Sequence, residues 1–181
     1  MTAVGASMNR WINLAASLAV AVALVGCSTS PSQTVDNTAQ DRADCKFPEP
    51  MTTLLKSNPK RAVGACRRMA ERGDPVGEAR LGYLYQAGIG VSQDFKAAAG
   101  WYRLAATQGN AAAQNNLGSL YEKGQGVPQD LVQSAAWYGL AAAQGSPDAA
   151  RNHDIIVKQL TPAQAAQAEQ LAKSWQAAKG Q

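Results

Sequence analysis

LGYLYQAGIGVSQD, from Leu81 to Asp94, and LGSLYEKGQGVPQD, from Leu117 to Asp130, are one segment written twice. The likeness continues through WYRLAATQG from Trp101 and WYGLAAAQG from Trp137. Laying 77–112 on 113–148 gives 17 identities in 36 positions, among them both tryptophans, four tyrosines and eight glycines. A self-match at one fixed period marks an array of stacked supersecondary units.

The punctuation of the repeat predicts two helices per copy. Gly73, Gly109 and Gly145 recur every 36 residues, each followed by a helix N-cap residue, Asp74, Asn110 and Ser146. Pro75 and Pro147 suit the first helical position, so helices are expected to start near 75, 111 and 147. Leu81, Leu84 and Tyr85, repeated as Leu117, Leu120 and Tyr121, have the spacing of one buried stripe. Gly82 and Gly118 interrupt these helices, where glycine costs about 1 kcal/mol against alanine, which predicts a close approach by the backbone of another helix. Gly88 and Gly124 are placed to end the helix in left-handed geometry. Asp94 and Asp130 then open a second helix, expected to bury Ala98, Ala99, Trp101, Tyr102 and Leu104 in one copy and Ser134, Ala135, Trp137, Tyr138 and Leu140 in the next.

Composition agrees with helices. Apolar residues make up 46% and aromatics only 6%, so the core has to come largely from alanine and leucine. The chain of 181 residues has room for one domain and a short targeting segment. Its net charge of +4 falls to +3 without Arg10, too little for a nucleic-acid surface. Lys60, Arg61, Arg67, Arg68 and Arg72 form the only basic concentration, read as a solvated helix face.

LGxLYxxGxGVxxD followed by WYxxAAxQG at this period resembles the Sel-1-like repeat, a relative of the tetratricopeptide repeat. The resemblance implies an all-α fold, a right-handed superhelical solenoid of helix hairpins, and a role as scaffold or adaptor. It covers 77–148. ACRRMAERGD from Ala65 aligns with WYRLAATQGN as the tail of a degenerate copy, in which Ala65 and Cys66 replace the aromatic pair. Beyond Ser146 the pattern departs, since His153 and Asp154 stand where Leu117 and Gly118 would fall. Thr161, Pro162 and Gln164 read as cap, first-turn proline and capping-box partner of a last helix. Its stripe of Ala168, Leu171, Ala172 and Trp175 is suited to closing the end of the stack.

The N-terminus carries an apolar run from Trp11 to Val25, too short to span a bilayer but matching the core of a secretory signal. A start at Met8 gives the more typical short basic lead into this run than one at Met1. LVGC, ending at Cys27, resembles a bacterial lipobox, which implies cleavage before Cys27, acylation of its thiol, and, with Ser28 following, an outer-membrane lipoprotein facing the periplasm. Two or three acyl chains at about 0.8 kcal/mol per buried methylene make release negligible. Ser28 to Asp44 is polar enough for a disordered tether with a reach of roughly 20 to 25 Å. Cys45 and Cys66 are the other cysteines, and in such a compartment they are expected to pair. The expected division is therefore 1–26 signal peptide, 27–44 tether, 45–76 degenerate repeat, 77–148 two repeats and 149–181 capping helices.

No catalytic constellation accompanies these elements. His153 is the single histidine, so a two-histidine metal site is absent and no cofactor is expected. It stands at a core leucine position and reads as structural. The GxG turns follow helices rather than strands and lie at the negative end of the helix dipole, unsuited to phosphate. Positions that recur serve packing, so recognition is expected at those that differ. Arg80, Tyr83, Gln86 and Ala87 in one copy and Asn116, Ser119, Glu122 and Lys123 in the next are the candidates to line a concave face that holds a protein or peptide. The alternative is an envelope enzyme or binder acting on peptidoglycan or a β-lactam, as cysteine-rich relatives of this repeat imply. Those relatives carry a cysteine pair per repeat, which this chain lacks.

Overall fold

The computed structural model describes residues 38–45 and 58–179. The signal segment 1–26, Cys27 and the tether residues 27–37 lie outside them. Eight helices follow in order, α1 Thr38–Cys45, α2 Pro59–Glu71, α3 Pro75–Ala87, α4 Phe95–Thr107, α5 Ala111–Lys123, α6 Leu131–Ala143, α7 Pro147–Val157 and α8 Pro162–Lys179, and no strand occurs among the described residues. Each helix packs on the next in sequence through α7, while α8 lies on α6. The result is an all-α stack of antiparallel helix pairs.

The caps set the boundaries. Asp74 accepts from the amides of Val76 and Gly77, Asn110 from Ala113, and Ser146 from Ala149, so α3, α5 and α7 begin at 75, 111 and 147. Asp94 and Asp130 cap α4 and α6 in the same way, through Ala97 and Gln133. Gly88 and Gly124 close α3 and α5 at φ 67° and 66°, a conformation that side-chain-bearing residues rarely hold. Thr161 and Gln164 form a reciprocal capping box at the start of α8, with Thr161 N donating to Gln164 Oε1 at 2.9 Å and Gln164 N to Thr161 Oγ1 at 3.3 Å.

Three expectations need correction. The tether does not extend to Asp44, because residues 38–44 are helical. What orders them is tertiary: Asp41 is buried and takes hydrogen bonds from Arg68 Nη2 at 2.6 Å and from both Nη groups of Arg72 at 3.1 Å, while Cys45 is disulfide-bonded to Cys66. The first helix pair therefore starts at Thr38, seven residues before the expected boundary at Cys45. The basic residues are not a merely solvated face either. Arg61 pairs with Asp44 at 2.8 Å, Arg67 donates to the Tyr85 hydroxyl at 3.0 Å, and Arg68 and Arg72 hold Asp41. Leu104, expected in the core, is 49% exposed, and Trp101 is only half-buried. Among the described residues no helix covers them as α8 covers their counterparts Trp137 and Leu140.

The core is small side chains interleaved with tyrosine and leucine, as the composition requires: Ala98, Ala105, Ala113, Leu117 and Leu120 surround Tyr102. The rings of Tyr102 and Tyr138 each lie against a helical glycine. A Cβ on Gly82 would stand 2.8 Å from the Tyr102 ring, and one on Gly118 would stand 2.9 Å from that of Tyr138. The close approach expected at these glycines is thus made by an aromatic ring rather than by another backbone.

Candidate functional site

The first helices α3, α5 and α7 align their surface residues at 36-residue steps. Arg80, Asn116 and Asn152 form one row; Tyr83, Ser119 and Ile155 form the next; Gln86, Glu122 and Lys158 form the third. The glycines fix what lies beneath. Because each tyrosine ring rests on Gly82 or Gly118, its hydroxyl reaches the end of the helix it lies on. Tyr102 donates to Gln86 Oε1 at 2.7 Å, and Tyr138 donates to Glu122 Oε2 at 2.7 Å. Burial pushes both hydroxyls well above the usual tyrosine range, with Asn116 opposing the shift at Tyr102 and Ser119 opposing it at Tyr138. The phenols stay protonated and act as donors.

Gln86 and Glu122, expected as recognition residues, thus also have a framework role. They differ between copies as amide and carboxylate, yet both serve as acceptors for a repeated tyrosine. Gln93 and Gln129 fasten the same turn, donating to the carbonyls of Gln86 and Glu122 at 2.8 Å each. The signal was present in the sequence: an oxygen acceptor at one repeated position and tyrosine at another. Arg80 is likewise turned inward, donating through Nη1 to the Cys45 carbonyl. Tyr85 and Tyr121 belong to the framework too, their hydroxyls accepting from Arg67 and Arg103 at 3.0 and 2.8 Å.

The remaining candidates come together on one face. Asn116 and Ser119 are half-buried beside the two tyrosine hydroxyls, Tyr83 is half-buried near Tyr102, and Lys123 is exposed. Sequence reasoning missed Ile155, which continues the row of Tyr83 and Ser119 and is 54% exposed. It was overlooked because the third hairpin departs from the motif, although the 36-residue step still holds there. Asn152 Nδ2 donates to Asn115 Oδ1 at 3.1 Å and ties α7 to α5, so Ile155 shares the surface of the complete copies. His153 lies over Gly139, at a distance where a Cβ on Gly139 would stand 3.4 Å from the imidazole.

A separate cavity of about 370 Å³ opens between α4, α6 and the end of α8, lined by Ala106, Gln114, Trp137, Leu140 and Trp175 among others. Trp175 stacks on Trp137 with ring centroids 3.9 Å apart. Among the described residues no cluster of His, Cys, Asp and Glu could hold a metal ion, and no helix is long and apolar enough to cross a membrane.

The family model of the Sel1 repeat matches residues 75–110 and 111–146, so the chain carries two Sel1 repeats. Among solved structures it is similar to a protective antigen present in uropathogenic Escherichia coli strains, displaying an SLR fold. Identity there is 35% over 77% of this chain and 30% of the other, with a TM-score of 0.70. It is also similar to a Sel1 repeat protein from Oxalobacter formigenes, at 33% identity over 63% of this chain and 42% of that one, with a TM-score of 0.52. The chain thus spans less than half the length of either. No curated protein matches it.

Proposed function

We propose that this chain, built around two Sel1 repeats, is a lipid-anchored scaffold of the bacterial cell envelope that holds a protein or peptide on the face formed by α3, α5 and α7. Sel1 repeats are protein-interaction scaffolds, which supports the general role. The observation that carries the surface is the row Tyr83, Ser119 and Ile155. It lies on a framework held rigid by the tyrosine hydrogen bonds, its residues differ at every step, and it ends in an aliphatic side chain left in solvent. Variable side chains on a fixed frame can select a partner without loosening the stack. The anchor rests on LVGC and the apolar run before it, and the outer membrane on Ser28.

Photocrosslinking residues placed at 83 and 155 in cells are expected to capture one common protein, whereas the same residue at exposed Gln170 on α8 captures none. A double change, Tyr83→Ala with Ile155→Ser, should weaken that capture while leaving the melting temperature within a few degrees. Capture equal at all three positions would remove the assignment. Replacing Cys27 by Ser is expected to move the protein from the membrane to the soluble fraction.

A further inference from the structure

The two repeat copies present matching surfaces, and among the described residues a helix covers only the second. In the second copy Trp137 and Leu140 are 3% and 6% exposed because Trp175 of α8 stacks over them. One repeat earlier the same positions are Trp101, half-buried beside α2, and Leu104, 49% exposed. The floor is built alike in both. Gln144 Nε2 donates to Gln114 Oε1 at 2.7 Å, and Gln108 Nε2 donates to Glu78 Oε2 at 2.8 Å. The frame repeats, and what covers it does not.

The rims differ in charge. Thr107 on the rim of the covered groove corresponds to exposed Glu71 on that of the open one, whereas Glu78, which matches Gln114, is buried and belongs to the floor with Gln108. The neighbouring guanidinium groups of Arg68 and Arg72 are already held by Asp41. The open groove therefore pairs the apolar surface of Trp101 and Leu104 with one exposed carboxylate, Glu71, at its margin. The last turns of α8 show what fits the floor: Ala172 and Trp175 pack against the cluster that holds Trp137 and Leu140, while Ala168 and Leu171, earlier on the same stripe, pack with α6 and α7. In sequence Lys179 follows Trp175 by one turn, the spacing at which a cation would fall beside the anchor.

We propose that the groove between α2 and α4 docks an amphipathic helix of a partner protein, with an aromatic anchor seated on Trp101 and Leu104 and a lysine or arginine one turn later facing Glu71. Aromatic anchors in desolvated grooves dominate helix-in-groove binding, and charges at the margin set partner choice and salt dependence. This surface lies on the second helices and is separate from the row on α3, α5 and α7, so either assignment can fail without the other.

The probe is a fluorescein-labelled peptide with the sequence of residues 160–181, titrated into the protein and followed by anisotropy. Saturable binding is expected in the micromolar range, with the indole signal of Trp101 perturbed in NMR spectra and that of Trp137 unchanged. Leu104→Glu should weaken binding at least tenfold, and a peptide with its tryptophan changed to alanine should lose it. Glu71→Lys should weaken it several-fold and flatten its dependence on salt. Both protein changes are at exposed positions, and unaltered melting curves will show that the variants fold. Absence of binding at millimolar peptide, indifference to Leu104→Glu, or perturbation of Trp137 through displacement of α8 would each overturn the proposal. So would self-association that Leu104→Glu abolishes, which would give the groove to a second copy.

Discussion

The two ends of the stack are closed by opposite means. At the N-terminal end α1 has eight residues, TAQDRADC, with too little apolar surface to hold itself by burial. It is fastened by the Cys45–Cys66 disulfide and by Asp41, fully buried between Arg68 and Arg72. At the C-terminal end α8 has 18 residues and spends one face on α6, through Ala168, Leu171, Ala172 and the Trp175–Trp137 stack. A long amphipathic helix can cap a solenoid by burial alone. A short polar one needs a covalent tie and a satisfied ion cluster.

Breaking the covalent tie should have the largest effect. In the loop-entropy picture a disulfide across a sequence separation of 21 contributes about 3 kcal/mol. Replacing Cys45 and Cys66 by alanine is expected to lower stability to denaturant by about that amount. Hydrogen exchange should rise in α1 and leave α8 unchanged. Equal acceleration at both ends would show that the stack opens as one unit and would erase the distinction.

Removing the stack at the other end comes next. Trp175→Ala should cost about 2 to 3 kcal/mol, below the range for a fully buried tryptophan because Trp175 is partly exposed. Tryptophan fluorescence should shift to the red as Trp137 becomes wet. Combined with loss of the disulfide, the two costs should add, since the sites share no partner. A strong departure from additivity would indicate coupling along the stack.

The ion cluster sharpens the comparison through pH. The hydrogen bond from Arg68 holds the Asp41 carboxyl below the usual carboxylate range against the opposing effect of burial, and Arg72 adds to it. A depressed folded-state value means stability present at neutral pH and lost as pH falls through that value. In the disulfide-free protein, α1 should therefore detach in acid while α8 stays. Asp41→Asn should reproduce that loosening at pH 7, at roughly 1 to 2 kcal/mol. An α1 whose exchange is insensitive to both acid and Asp41→Asn would show that the disulfide alone retains it.

The smallest effect is a gain. Burial raises the Glu78 carboxyl above its usual range, and the carboxylate of Asp74 raises it further, although Gln108 partly offsets them. A raised folded-state value for an acid means stability that falls as pH climbs from the unfolded value through the folded one. The matching position in the next copy is Gln114, which both accepts from Gln144 and donates to the Ala106 carbonyl at 3.1 Å. Glu78→Gln is expected to raise stability by about 0.5 to 1 kcal/mol at pH 7, with no gain in acid. A loss at pH 7 would mean that the carboxylate is better satisfied than its surroundings indicate.

Much of this molecule was legible because its local signals agree with one another. The period, the caps Asp74, Asn110, Ser146, Asp94 and Asp130, and the left-handed glycines fix each helix through bonds spanning a few residues. The candidate face was legible in part. Tyr83, Ser119 and Asn116 could be placed by spacing, but Gln86 and Glu122 looked variable and are acceptors for tyrosines sixteen residues away in sequence.

The sequence by itself determined where the helices begin, end and pair, since caps, turns and the 36-residue period act between near neighbours. Tertiary structure alone decided whether α1 exists as a helix, because its order depends on arginines some thirty residues ahead. It also decided whether one motif is core or surface. Trp101 and Leu104 carry the same letters as Trp137 and Leu140, and burial depends on whether another helix lies above them, which no window of sequence around either pair contains.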